Sequence, residues 1–149
     1  MKLQKIYTDV VKLYFRRGPE DEGHRLIYQF IEDGVGFSLS ASCAFWVPQE
    51  DFIFKPTALR ANDRISHVLH QFKDKNFIPG KLGNEFIQQA CQFQSVVSED
   101  GTRKVFIQKK YAGWLDKADK IFVHEKFQII KVIDGRRMAI ISGLRKIGE

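Results

Sequence analysis

Asp63, His67 and His70 are the residues whose types and spacing come nearest to a chemistry. At positions i, i+4 and i+7 of a helix they share one stripe. A carboxylate with two imidazoles is a ligand set that zinc or ferrous iron accepts. That stripe, however, is the polar side of the helix, opposite its apolar arc, where nothing supplies a fourth ligand or keeps water out. A solvated face accounts for it, and no metal or other cofactor is expected.

The other chemical candidates are weaker. Ser38, Ser40 and Ser42 follow Gly36, but they alternate along a strand and form no nucleophile elbow. Cys43 and Cys91 belong to no C-x-x-C pair and have no neighbouring histidine, so both read as reduced core thiols. Gly34-Val35-Gly36 lacks the third glycine and the helix of a phosphate-cradling loop. Glu20, Asp21 and Glu22 fall in an apparent loop and are expected to be solvated. The reading is therefore of a protein that is not an enzyme.

Basic residues interleaved with aromatics are the stronger signal. Arg103 and Lys104 precede Phe106; Lys109 and Lys110 precede Tyr111, with Trp114 one turn on. Arg136 and Arg137 follow a hairpin turn, and Arg145 and Lys146 follow the last strand. Cations that meet phosphates beside rings that meet bases are how nucleic-acid surfaces are built. The structural alternative is that Phe106, Tyr111 and Trp114 anchor the core while the cations fringe a sheet. Charge distribution favours a polyanionic partner. Residues 1–102 carry twelve Lys and Arg against thirteen Asp and Glu, a net of −1. Residues 103–149 carry twelve against five, a net of +7, so the whole excess of +6 lies in the last third.

The elements that must position these residues follow from periodicity. With 149 residues, 44% of them hydrophobic and 13 of them Phe, one domain spanning 1–149 can bury a substantial core. Leu3 to Arg16 has helical spacing and ends at Gly18-Pro19. Its basic face, Lys5, Lys12 and Arg16, is compatible with a membrane surface, but its tyrosines and β-branched residues suit docking on the domain. Thr57 to Phe72 forms a second helix, with Thr57 as N-cap. Asn84 to Gln92 is expected to be a short third one, after a loop bracketed by Gly80 and Gly83. A short helical segment is expected around Lys110 to Lys117.

Strands are expected from Arg25 to Ile31 and from Val35 to Val47, the latter too long to run unbroken past Ser40. Further strands are expected at Phe93–Val97, Lys104–Gln108, Ile121–His124, Phe127–Ile133 and Arg136–Leu144. Asp33-Gly34, Asp100-Gly101 and Asp134-Gly135 lie between strand-like runs, the last being the sharpest hairpin signal. The pattern predicts an α+β fold, with a largely antiparallel sheet built from hairpins and packed against two or three helices. No apolar run reaches the ~18 to 20 residues of a membrane span. Asp9 and Lys12 interrupt the N-terminal segment, so no secretory signal is expected and the setting reads as cytoplasmic.

The ending Met138-Ala139-Ile140-Ile141-Ser142-Gly143-Leu144-Arg145 resembles the last strand of bacterial sliding clamps. The run from Asp33-Gly34 to Val47-Pro48 is similar in outline to the turn, strand and proline of clamp-like domains. The resemblance covers roughly a fifth of the chain. Ser142-Gly143 departs from the clamp's usual residues, and a clamp subunit carries three such domains. What the resemblance implies is a single clamp-like domain, phage- or mobile-element-encoded, without a working ring; no functional residue carries over.

Taken together, the residues predict a binding domain that contacts nucleic acid or a nucleoprotein complex. Arg103, Lys104, Lys109, Lys110, Arg136, Arg137, Arg145 and Lys146 are the expected contacts. The alternative partner is an acidic protein surface, met by an accessory or inhibitor module in which Trp46 or Trp114 matters more than charge.

Overall fold

Alternation of apolar and polar side chains, punctuated by turn residues, puts most of the described chain into strands. The computed structural model describes residues 28–32, 35–39, 43–48, 50, 70–116 and 118–144. Nine strands form within them: β1 (Tyr28–Glu32), β2 (Val35–Leu39), β3 (Cys43–Pro48), β4 (Phe77–Gln88), β5 (Gln92–Ser98), β6 (Lys104–Gln108), β7 (Lys120–His124), β8 (Ile129–Asp134) and β9 (Arg137–Ser142). Helix α1 (Lys109–Leu115) follows β6 directly. The strands lie in the order β1-β2-β3-β9-β8-β7-β4-β5-β6. Every pairing is antiparallel.

This overturns the α+β expectation. Among the described residues, α-helix is confined to the seven-residue α1 and residues 70–73, so the fold there is mostly antiparallel sheet. The helices expected over 3–16 and over most of 57–72 lie outside the described residues, as does the Asp33-Gly34 turn. Asn84–Gln92 is not helical; it completes β4, turns, and starts β5, with Phe86 opposite Gln94 and Ile87 opposite Phe93. Gly80 and Gly83 sit inside β4 and bracket no loop. At Gly83 a side chain would collide with Ser95 and Val97, because the β4 backbone lies directly on β5 there.

Elsewhere the local signals held. The expected break near Ser40 separates β2 from β3. Gly135 takes a φ of +61° in the turn between β8 and β9, a conformation that costs glycine nothing.

β4 is the hinge of the architecture. Its first three residues pair with β7, from Phe77 opposite His124 to Pro79 opposite Phe122. From Gly80 onward it pairs with β5 instead. The sheet thereby curls, and the end of β9 meets the far edge strand: Leu144 N donates to Phe106 O at 2.7 Å. Inside the curl, Val96, Val105 and Ile107 from one part of the sheet pack with Phe45, Val123, Ile130, Val132, Ala139 and Ile141 from the other. Tyr111, Ala112 and Leu115 of α1 close this core. Each fully buried aliphatic side chain contributes roughly 1.5–3 kcal/mol. On the opposite face of β3, Trp46 meets buried Phe72 edge-on at 5.7 Å. Cys43 is a core residue, but Cys91 falls in the turn between β4 and β5 and is exposed, so only one of the two thiols is buried.

Candidate nucleic-acid interface

β6 carries the centre of the expected basic patch, and its pleat sorts the side chains. Val105 and Ile107 point into the core, which leaves Lys104 on the surface. Lys104 Nζ meets Glu85 Oε1 at 2.6 Å, an exposed pair that cancels its charge locally. Glu85 gets there because β4 shifts register between Leu82 and Phe86. The displaced segment is held down by Gln94 Nε2, which donates to Gly83 O at 2.7 Å, and by Glu85 N, which donates to Ser95 Oγ at 3.2 Å.

Lys109 and Lys110 occupy the first turn of α1 and are exposed. No acidic residue offsets them there, so they face the positive end of the helix dipole. Lys109 Nζ lies 5.6 Å from the centroid of Phe86, a ring left 49% exposed. Lys110 Nζ lies 5.0 Å from the ring of Tyr111, which is itself buried in the core. Tyr111 is therefore an anchor, and Phe86, absent from the expected set, supplies the exposed ring.

Arg103 has a different role. Asp100 organises the turn before it, accepting hydrogen bonds from Thr102 Oγ1 at 2.6 Å, Thr102 N at 2.9 Å and Ser98 Oγ at 2.7 Å. Those bonds, the Thr102 hydroxyl's first, hold the Asp100 carboxyl below its usual range. The turn aims Arg103 at the β7–β8 connection. Its Nε donates to His124 O at 3.2 Å, and one Nη donates to Lys126 O and Phe127 O, each at 3.3 Å.

Two of the remaining expected contacts lie on the β8–β9 hairpin. Arg136, at the tip of the β8–β9 hairpin, pairs with Glu50 at 2.9 Å, both side chains well exposed. Arg137 is half-buried in β9 opposite Asp134. Arg145 and Lys146, the side chain of Trp114, and Asp63 and His67 all lie outside the described residues; His70 is exposed. Among the described residues, no cluster of three or more His, Cys, Asp or Glu is placed to hold a metal ion. No helix among them is long and apolar enough to cross a membrane.

A second basic corner was not visible in the sequence. His124 is buried, and both ring nitrogens are engaged. Nδ1 accepts from Lys126 N and Phe127 N at 3.0 Å each, so the proton sits on Nε2, which donates to Asp74 Oδ2 at 2.9 Å. That bond, ahead of one from Asn76 N, keeps the Asp74 carboxyl below its usual range. With no nitrogen left for a substrate, the pair is a structural latch between residues 74–76 and the β7–β8 turn. Glu125 N donates to Asn76 O at 2.9 Å, and the latch thereby holds the segment that carries the exposed Lys73 and Lys75 against the turn that carries Lys126. Phe127, 56% exposed, stacks on His124 with 4.7 Å between ring centroids. Behind the latch, Lys131 Nζ donates to Phe72 O at 2.9 Å and lies 5.5 Å from the Phe77 ring. Burial lowers the pKa of Lys131, and the charge of Asp74 opposes that shift.

A cleft of about 600 Å³ opens where β4 parts from β7. It is lined by Gly80 and Leu82 of β4, Ile121 of β7 and Leu115 of α1, together with Glu99 and Asp116. Past Pro79 no residue of β4 is in register with β7, so this stretch of strand edge has no ladder partner on the cleft side.

No protein-family model, curated protein or solved structure matches the chain, so the likeness to clamp domains stands on sequence alone.

Proposed function

We propose that this is a non-enzymatic domain that binds nucleic acid, alone or in a nucleoprotein complex, through the end of β6 and the start of α1. The observation that carries the reading is the exposed Phe86 ring beneath Lys109, with Lys110 beside it and no acidic residue in that helical turn. A ring that stacks and cations that meet phosphates are the two requirements of such a surface. Arg136 and Lys104, paired with Glu50 and Glu85, have a smaller share. A cytoplasmic setting, where nucleic acid is an abundant polyanion, accompanies this reading.

The test is binding of fluorescent 12-nucleotide DNA and RNA, single- and double-stranded, at low salt and near 200 mM salt. Binding should weaken at least about tenfold over that range, because phosphate contacts release counterions. The double variant Lys109→Glu/Lys110→Glu should bind at least about tenfold more weakly at low salt. If wild-type protein binds none of these ligands at low salt, the reading fails.

One observation favours the alternative of a protein-binding accessory module. The unladdered edge of β4 at Gly80–Leu82, facing a cleft, is the kind of edge to which an extended peptide adds as a strand. Such binding would respond weakly to salt and would be unaffected by charge reversal at Lys109 and Lys110.

A further inference from the structure

We infer that the Phe127 corner is a stacking platform for an unpaired base, and hence that the ligand is single-stranded nucleic acid; this rests on the nucleic-acid reading above. Phe86 and Phe127 are the two exposed large hydrophobic residues among those described. Phe127 is the better supported. One side of its ring lies on His124, inclined by 29°, and its backbone N–H is held by His124 Nδ1. His124 is only 1% exposed and is fixed in turn by Asp74, so the platform is ordered before any ligand arrives.

The surrounding charge matches a phosphate chain. Arg103 is bonded to the Lys126 and Phe127 carbonyls, the exposed Lys126 adjoins Phe127, and the exposed Lys73 and Lys75 flank Asp74, whose carboxylate is engaged by His124. Arg103 reaches the corner through carbonyl oxygens, which orient its guanidinium without neutralising it. A duplex hides the faces of its bases, so an aromatic platform discriminates for single strands. Arg103 precedes β6 and Lys109 follows it. The five residues between span roughly 17 Å, which places the two exposed rings at opposite ends of one strand.

The experiment compares a single-stranded 12-mer with the duplex of the same sequence against wild-type protein, Phe127→Ala, Phe127→Trp and Lys75→Glu/Lys126→Glu. The single strand should bind wild type more tightly than the duplex. Phe127→Ala should lose roughly tenfold in single-strand affinity and little for the duplex. Phe127→Trp, which keeps a ring, should retain affinity, and its fluorescence should fall as bases stack on it. The double charge reversal, at exposed positions the fold does not need, should weaken binding several-fold and flatten the salt dependence. Equal affinity for duplex and single strand would overturn the inference, as would equal losses in the Ala and Trp variants. In either case an effect of Lys109→Glu/Lys110→Glu leaves the broader reading standing. Absence of all binding would remove both.

Discussion

Phe86 and Phe127 are both exposed phenylalanines beside lysines, yet they are built in opposite ways. Phe86 sits just after a register shift in β4, and the cation over it, Lys109, comes from the adjoining start of α1. What orders that region is a few part-buried polar bonds, such as Gln94 to Gly83 O, made by half-buried residues. Phe127 rests on a buried histidine whose every nitrogen is bonded, and its lysines come from segments some fifty residues apart. A surface ring becomes a usable platform through what lies beneath it. The His124 ring is only 1% exposed, so water competes little for the bonds it makes.

The most direct way to break this comparison is His124→Ala. It removes the acceptor for two backbone N–H groups, the partner of Asp74 and the support of Phe127. Destabilisation of about 3 kcal/mol is expected from urea unfolding. A loss below about 1 kcal/mol would mean that the latch does not hold the corner.

Asp74→Asn is a gentler cut through the same latch and should cost about 1–2 kcal/mol at neutral pH. Its pH dependence sharpens the test. The folded-state pKa of Asp74 is depressed below the ordinary carboxylate value of 3.8 by its bonds to His124 and Asn76. Its stabilisation is therefore fully present above that value and is lost as pH falls through the folded value. Unfolding midpoints followed from pH 6 down to about 2 should fall less steeply for Asp74→Asn than for wild type. Parallel curves would show that the carboxylate contributes nothing to the latch.

Lys131 acts at the other end of the scale, where its charge is a cost. Burial depresses its folded-state pKa below 10.5, so the cost of keeping it charged is relieved as pH rises through the folded value toward 10.5. Lys131→Met should reduce the stability gained over that alkaline window. If the gain is unchanged in the variant, another group is responsible.

The smallest expected effect is at the Phe86 end. Lys104→Ala should change stability by no more than about 1 kcal/mol, because both partners of the Glu85 pair are exposed. A larger effect would mean that the register shift in β4 depends on this pair.

Much of the sheet was legible in the sequence. β6 falls where its alternating residues place it, and α1 and β7 to β9 begin and end within about two residues of expectation. These elements are bounded by turn residues and pair mostly with near neighbours in sequence, so local chemistry suffices. The Asn84–Gln92 helix was misread for the converse reason. Its residues suit either state alone, and the strand is selected by the long β5 ladder beside it. Of the candidate site, Lys109 and Lys110 were legible as cations ahead of a tyrosine, whose burial the structure then showed. Phe86 was not, because only strand pairing carries it to them.

By itself the sequence determined where the positive charge lies, how the strands of the C-terminal half alternate, and where their hairpins turn. Those properties depend on residues within a few positions of one another. The tertiary structure settled which cations are neutralised, which rings are exposed, and that residues 74–76 meet the turn carrying Lys126. Each of those outcomes depends on a partner distant in sequence, such as Glu85 for Lys104, Glu50 for Arg136 and Asp74 for His124. Such pairs form only after the curled sheet has brought them within hydrogen-bonding range.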